Sequence, residues 1–308
     1  MFAALNVYKP KGITSHDVVA RLRKIYGLKK IGHLGTLDPL AEGVLPVCLG
    51  QATRLIEYFP DDKRYRAEVT LGRTTTTLDS EGGELSRMDC TGLDLAPERL
   101  ATVLRQYTGT IVQQVPLYSA VHVCGKKLYE LARQGKTADL PIRETTIHEL
   151  TLVSMNLENP AHPILTLDVH CSSGTYIRSL ARDIGDALGC GAYMSALVRT
   201  SHGCFGLQQS VGLDTLKESE NPQQYLLDPV QFLSMPVLDL TNPDEARLLT
   251  NGMKVQPTLD TSSDTSAGGV AVKLKPNALY MAVYQGRPIG VAQLVSHKLK
   301  PVKIFHWG

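Results

Sequence analysis

Residues 32–54 read GHLGTLDPLAEGVLPVCLGQATR. Gly32 and Gly35 bracket His33 and Leu34, and Asp38 is followed directly by Pro39. Glycine reaches backbone angles closed to other residues and proline fixes its own φ, so the segment can turn tightly and hold one carboxylate on a rigid loop. An Asp-Pro pair alone is an ordinary turn starter or helix cap. The glycine spacing and the neighbouring His33 add weight to Asp38 without assigning it a chemistry.

Upstream, Ser15 followed by HDVVARLRKIYG predicts a capped helix, with Val18, Val19, Leu22, Ile25 and Tyr26 on one face and Gly27 as the stop. Downstream, YRAEVTLG alternates: Tyr65, Ala67, Val69 and Leu71 face one way, and Arg66, Glu68 and Thr70 the other. The run ILTLDVHCS (164–172) alternates too, and Tyr176 to Leu188 carries Ile177, Leu180, Ile184 and Leu188 on one helical stripe. Shorter helices are expected at 100–107 and 126–134. Strands and helices mix without a βαβ rhythm, which predicts an α+β fold around a mixed, mainly antiparallel sheet.

The polar stretch KESENPQQY precedes MPVLDL, so a boundary is expected near residue 232: one domain over 1–231 and a small one over 232–308. The runs VAVKL, LYMAVY and PIGVAQLV suggest a small β-barrel in the second. The Ser-, Thr- and Gly-rich stretch 257–269 predicts a mobile loop.

The net charge of +2 does not by itself announce a nucleic-acid partner. Residues 9–30, however, carry seven Lys or Arg against the single acid Asp17, a block able to gather phosphates or equally to form a solvated helix face. The six cysteines form no CxxC pair, which removes zinc-knuckle and thioredoxin-type motifs. With no apolar run of membrane length and no secretory leader before LNVYK, a cytoplasmic protein with reduced thiols is expected. No GxGxxG follows a strand and no GxxxxGK[ST] occurs, so no nucleotide cofactor is expected.

The string at 32–54 resembles the signature of TruB-type pseudouridine synthases, GHxGTLDPxAxGxLxxxxGxAT. NVYKPKGITSHDVV (6–19), DKRYRAEVTLGRTTTTLDSEG (62–82), VPLYSAVHVCGKKLYELARQG (115–135) and SSGTYIRSLARDIG (172–185) are similar to further blocks of that family, in family order. The resemblance implies a pseudouridine synthase catalytic domain and a PUA-like C-terminal domain. It also implies an isomerase that acts on uridine 55 in the T-loop of tRNA without metal or other cofactor. A monomer with no obligatory protein partner and no membrane contact is expected, with tRNA folding assistance as a possible addition.

The same resemblance assigns roles by position. Asp38 matches the catalytic aspartate, and Arg178 the arginine that pairs with it. A carboxylate withdrawn from water takes up a proton unless a cation or donors hold it charged, which gives that pairing its reason. Tyr65 matches the tyrosine that stacks on the target base and is a candidate for removing the C5 proton. Tyr176 and Leu197 match pocket-lining positions. His33 matches a histidine that contacts RNA near the flipped base, Asp79 an aspartate that organises the RNA-bound site, and Lys9 a support for the active-site loop or the RNA backbone. Several have a plain structural alternative: core packing for Tyr65, Tyr176 and Leu197, a turn before Gly82 for Asp79, a surface arginine near a helix start for Arg178 and a structural histidine for His33.

Two other functions fit parts of this pattern. A non-catalytic RNA-binding protein would use the same contacts, but has no reason to surround Asp38 with Arg178 and Tyr65. A glycoside hydrolase normally needs two carboxylates about 5–10 Å apart, where the matched motifs supply one.

Overall fold

A computed structural model describes residues 1–123, 125–134, 139–258 and 274–307. The first sheet is built from β1 (Phe2–Lys9), β2 (Glu42–Gly50), β3 (Lys63–Leu71), β4 (Gly109–Gln114), β5 (Ile142–Asn156), β6 (Ile164–Cys171), β7 (Ala192–His202) and β8 (Val211–Gly212). Their order is β8-β1-β2-β7-β3-β6-β5-β4, with short strands Ile31–His33 and Phe205–Gly206 added beside β2 and β7. Among the described residues of this sheet only the β1–β8 and β2–β7 pairs are parallel, so it is mixed and mainly antiparallel.

Helices α1 (Ser15–Tyr26), α2 (Pro97–Gln106) and α3 (Ile177–Leu188) bury their apolar stripes in the same core as β1, β2, β3 and β6. Val18, Val19 and Leu22 of α1 and Ile177, Leu180 and Ile184 of α3 are buried, as their spacing predicts. The cap of α1 lies one residue before the expected Ser15. Thr14 is extended and forms a capping box with Asp17, its hydroxyl accepting from Asp17 N at 3.0 Å while the Asp17 carboxylate accepts from Thr14 N at 2.9 Å. That frees the Ser15 hydroxyl to turn inward. At the other end Gly27 takes the left-handed angle, φ 63°.

The second sheet comprises β9 (Val237–Leu240), β10 (Leu279–Tyr284), β11 (Arg287–Val295) and β12 (Lys298–Ile304), in that order, with helix α4 (Pro243–Thr250) packed on it. Among the described residues this sheet is open, not closed into the expected barrel. The predicted loop lies outside the described residues from 259 onward, as does all of VAVKL except Leu274. No helix among the described residues is long and apolar enough to cross a membrane.

Candidate active site

The loop between Ile31–His33 and β2 carries Asp38, and its backbone is tied from several sides. Ser15 Oγ accepts from Leu37 N at 2.8 Å and donates to Leu37 O at 3.1 Å. Gly12 N donates to Pro39 O at 2.8 Å. Lys9, fully buried, sends its ammonium to Ala41 O at 2.6 Å, Pro10 O at 2.9 Å and Pro39 O at 3.4 Å. Burial pushes the Lys9 pKa down to about 8. Arg199 of β7, also fully buried, donates to Val44 O at 2.7 Å, Gly35 O at 3.0 Å and Thr36 O at 3.3 Å. Such charge-assisted bonds are worth about 1.5–3 kcal/mol each, which offsets the desolvation of two buried cations and rigidifies the loop.

Asp38 therefore projects from a fixed backbone, its side chain 37% exposed. Arg178, 6% exposed at the start of α3, grips it through two atoms: Nε lies 2.9 Å from Oδ2 and Nη2 lies 3.3 Å from Oδ1. The same guanidinium donates to Tyr118 O at 3.0 Å and Thr77 O at 3.1 Å, and lies 3.6 Å from Asp79 Oδ2. Asp79 is buried, and its Oδ1 accepts from Glu81 N at 3.0 Å and from Thr77 Oγ1. Leu78 beside it sits at φ 63°, a left-handed angle costly for a non-glycine residue, which aims Asp79 inward.

Asp38, Arg178 and Asp79 line a cavity of about 640 Å³ together with Tyr65, Tyr118, Tyr176, Leu197 and Met194. Tyr65 lies on β3 directly opposite Arg199. Burial pushes its hydroxyl up to about 12, against the opposing pull of the Arg199 guanidinium. Tyr176 is fixed through its backbone, its N–H donating to Gln113 Oε1 at 3.0 Å.

Two of the eight expected residues lie off the cavity wall. Lys9 reaches only loop carbonyls. His33 is half-buried with its Nδ1 unpartnered among the described residues, and burial, followed by Arg199 and His16, lowers its pKa.

A second polar network borders the cavity. Asp61 lies 2.5 Å from Lys63 Nζ and 2.9 Å from buried His202 Nε2. Burial would raise the Asp61 pKa, but hydrogen bonds from His202, Lys63 and Ser173 hold it well below the usual carboxylate range. Burial lowers His202 to about 4, with Arg199 and Lys63 adding to the effect. Sequence reading missed this network, Ser15 and Arg199. Arg199 had a usable signal: it lies two residues beyond Leu197 in one strand, so both face the same way, and an inward arginine requires partners.

Residues 23–177 match the model of the TruB family pseudouridylate synthase N-terminal domain, and 178–232 that of the tRNA pseudouridylate synthase B C-terminal domain. The chain is 42% identical over 303 residues to tRNA pseudouridine synthase B of Caldanaerobacter subterraneus, covering 98% of each chain. It is 39% identical to the protein of that name from Staphylococcus haemolyticus, again covering 98% of each. Among solved structures it is similar to one of a Cbf5-Nop10-Gar1 complex, with TM-score 0.68 and 25% identity over 99% of this chain and 84% of that one.

Proposed function

The chain belongs to the TruB family of pseudouridylate synthases, and from that premise we propose how its cavity performs the reaction. The enzyme is an isomerase that forms pseudouridine in tRNA. We infer that the target is uridine 55 of the T-loop, flipped out of its stack at a cost of a few kcal/mol.

The observation that carries this reading is Asp38, held in two-point contact by Arg178 at the wall of a cavity that also holds Tyr65. In the proposed course, N1–C1′ cleavage is assisted by the Asp38 carboxylate, the free uracil turns within the pocket, and C5 bonds to C1′. The C5 proton leaves, and N1 of the product carries a proton. Tyr65 offers a ring on a rigid strand as the stacking face. With its hydroxyl protonated in the free protein, removal of the C5 proton by Tyr65 requires Arg199, beside it, to stabilise phenolate charge once the base is bound. Tyr176 and Leu197 shape the pocket, Asp79 and Thr77 orient Arg178, and Lys9 supports the loop from within. His33 is assigned to RNA contact near the pocket mouth.

The C-terminal sheet, within residues 232–308, is proposed as a PUA-like RNA-holding unit beside a catalytic domain of residues 1–231. A cytoplasmic monomer needing no protein partner, with tRNA folding assistance as an added role, completes the reading.

The test is tritium release from tRNA transcript labelled at uridine C5. Wild type releases tritium to water, whereas Asp38→Asn lowers the rate by about 10³-fold or more while tRNA binding persists. Release by the variant at the wild-type rate would refute the role of Asp38. Free uracil as product would mark a hydrolase.

A further inference from the structure

Outside the cavity, three metal-ligating side chains converge on one face of the sheet: Asp62, His148 and His170. Their ligand atoms all lie within 4.8 Å of one another. His148 Nε2 is 3.7 Å from Asp62 Oδ1, and His170 Nε2 is 3.9 Å from Asp62 Oδ2. These separations are too long for hydrogen bonds, which require about 2.7–3.2 Å. They are close to the spacing of about 3.3 Å that ligands keep when each sits about 2.0–2.2 Å from a shared tetrahedral ion. The two imidazole rings are 4.7 Å apart and tilted by 49°, so they neither stack nor block each other.

The backbone arranges this convergence. Ile147 pairs with Cys171 and Glu149 with His170, so His148 is the extra residue of a β-bulge in β5. A bulge re-aims the side chain it carries, and here both His148 and Glu149 point outward while Ile147 and Leu150 are buried. Asp62 is fixed by its own carbonyl, which accepts from Gly203 N at 2.8 Å. Arg64, two residues beyond Asp62, is engaged with Glu149 at 3.0 Å. The three side chains are 59%, 37% and 23% exposed, leaving the remaining coordination positions open to water.

We propose that Asp62, His148 and His170 form a binding site for a divalent transition-metal ion of the zinc class. Two imidazoles and one carboxylate suit such ions better than magnesium or calcium, which favour all-oxygen sets. The ion clips together chain segments far apart in sequence. It does so at the corner where Asp61 and Lys63, the neighbours of Asp62, line the active-site cavity. The site is thus a brace for the cavity rim, separate from the reaction itself.

The experiment uses tag-free full-length protein, stripped with chelator, in a Cys204→Ser background because Cys204 is an exposed thiol. Zinc is titrated calorimetrically, and cobalt is followed by visible absorption. One equivalent is expected to bind and to raise the melting temperature. Both effects should weaken by more than about tenfold in affinity in His148→Ala, in His170→Ala and in Asp62→Asn. Circular dichroism of these surface variants reports that they remain folded. Absence of binding in the parent protein overturns the proposal, and so does binding that survives unchanged in the His148→Ala/His170→Ala double variant.

Discussion

Arg178 serves two carboxylates and two carbonyls with one nearly buried guanidinium, so its shape matters as much as its charge. Lysine keeps the charge but cannot grip Asp38 at two points while also reaching Tyr118 O and Thr77 O. Arg178→Lys is therefore expected to slow single-turnover conversion by at least about 100-fold, with tRNA affinity in a filter-binding assay little changed. His202 yields a pH prediction. Its pKa is about 4 in the folded protein against about 6.5 unfolded, so the unfolded chain binds more protons between those values. The stability it contributes is complete above about pH 6.5 and is lost as pH falls towards 4, up to an amount on the order of 3 kcal/mol at 1.36 kcal/mol per pKa unit. Urea midpoints measured in chelator-containing buffer should fall across that window, and the slope should flatten in His202→Gln. At this scale the chemical groups were legible: Asp38, Arg178, Asp79, Tyr65, Tyr176 and Leu197, far apart in sequence, all line one cavity. Their supports were less so. Lys9 was expected at this loop, but Arg199 was not: it bonds to backbone carbonyls, and a carbonyl has no residue identity for a sequence to display.

Among the elements, β2 and β7 decide whether the Asp38 loop is held at all. They meet as a parallel pair in which Gly43 lies opposite Arg199. Gly43 has φ 105°, and a Cβ there would stand 2.3 Å from Arg199 O, against backbone that cannot swing away. Gly43→Ala should thus part the two strands, release the Arg199 clamp and cost more than about 2 kcal/mol. A lowered thermal midpoint with a matching loss of tritium release would report it, whereas a variant of wild-type stability would show that the pair can yield. The same strands explain which elements the pattern exposed. β3 and β6 alternate because one face is buried and the other is wet. β2 is buried on both faces except at its ends and contains Pro46, so it offers no alternation to read. β5 and β7 each carry register shifts that break the period of two, and neither stands out in the sequence. Helix α4 is only eight residues long, too short for its periodicity to separate from the strands around it.

At the scale of the whole molecule, one core crosses the boundary expected near residue 232. Ala4, Val44, Cys48 and Phe59 of the first sheet region share a buried cluster with Met281, Val291 and Phe305 of the second. Phe2 packs its ring 5.2 Å from Phe305 and 5.4 Å from Trp307. The seam also has polar fastenings: Arg54 Nη1 donates to Ile304 O, Gln51 donates to His306 O at 3.2 Å, and Lys303 pairs with Glu57. Phe305 is fully buried at this seam, so Phe305→Ala removes contacts on both sides and should cost about 3–5 kcal/mol. If the two sheets unfold as one unit, calorimetry of the wild type gives a single transition and the variant moves the whole of it downward. Two transitions, with only the smaller one shifted, would mean that the seam is an adhesion between independent domains. The apolar character of the seam favours the single transition. Removing residues beyond 231 would uncover Ala4, Val44 and Cys48, on the same strands that carry Lys9 and flank the Asp38 loop. Loss of the C-terminal sheet should therefore weaken the active site itself, over and above any loss of grip on RNA.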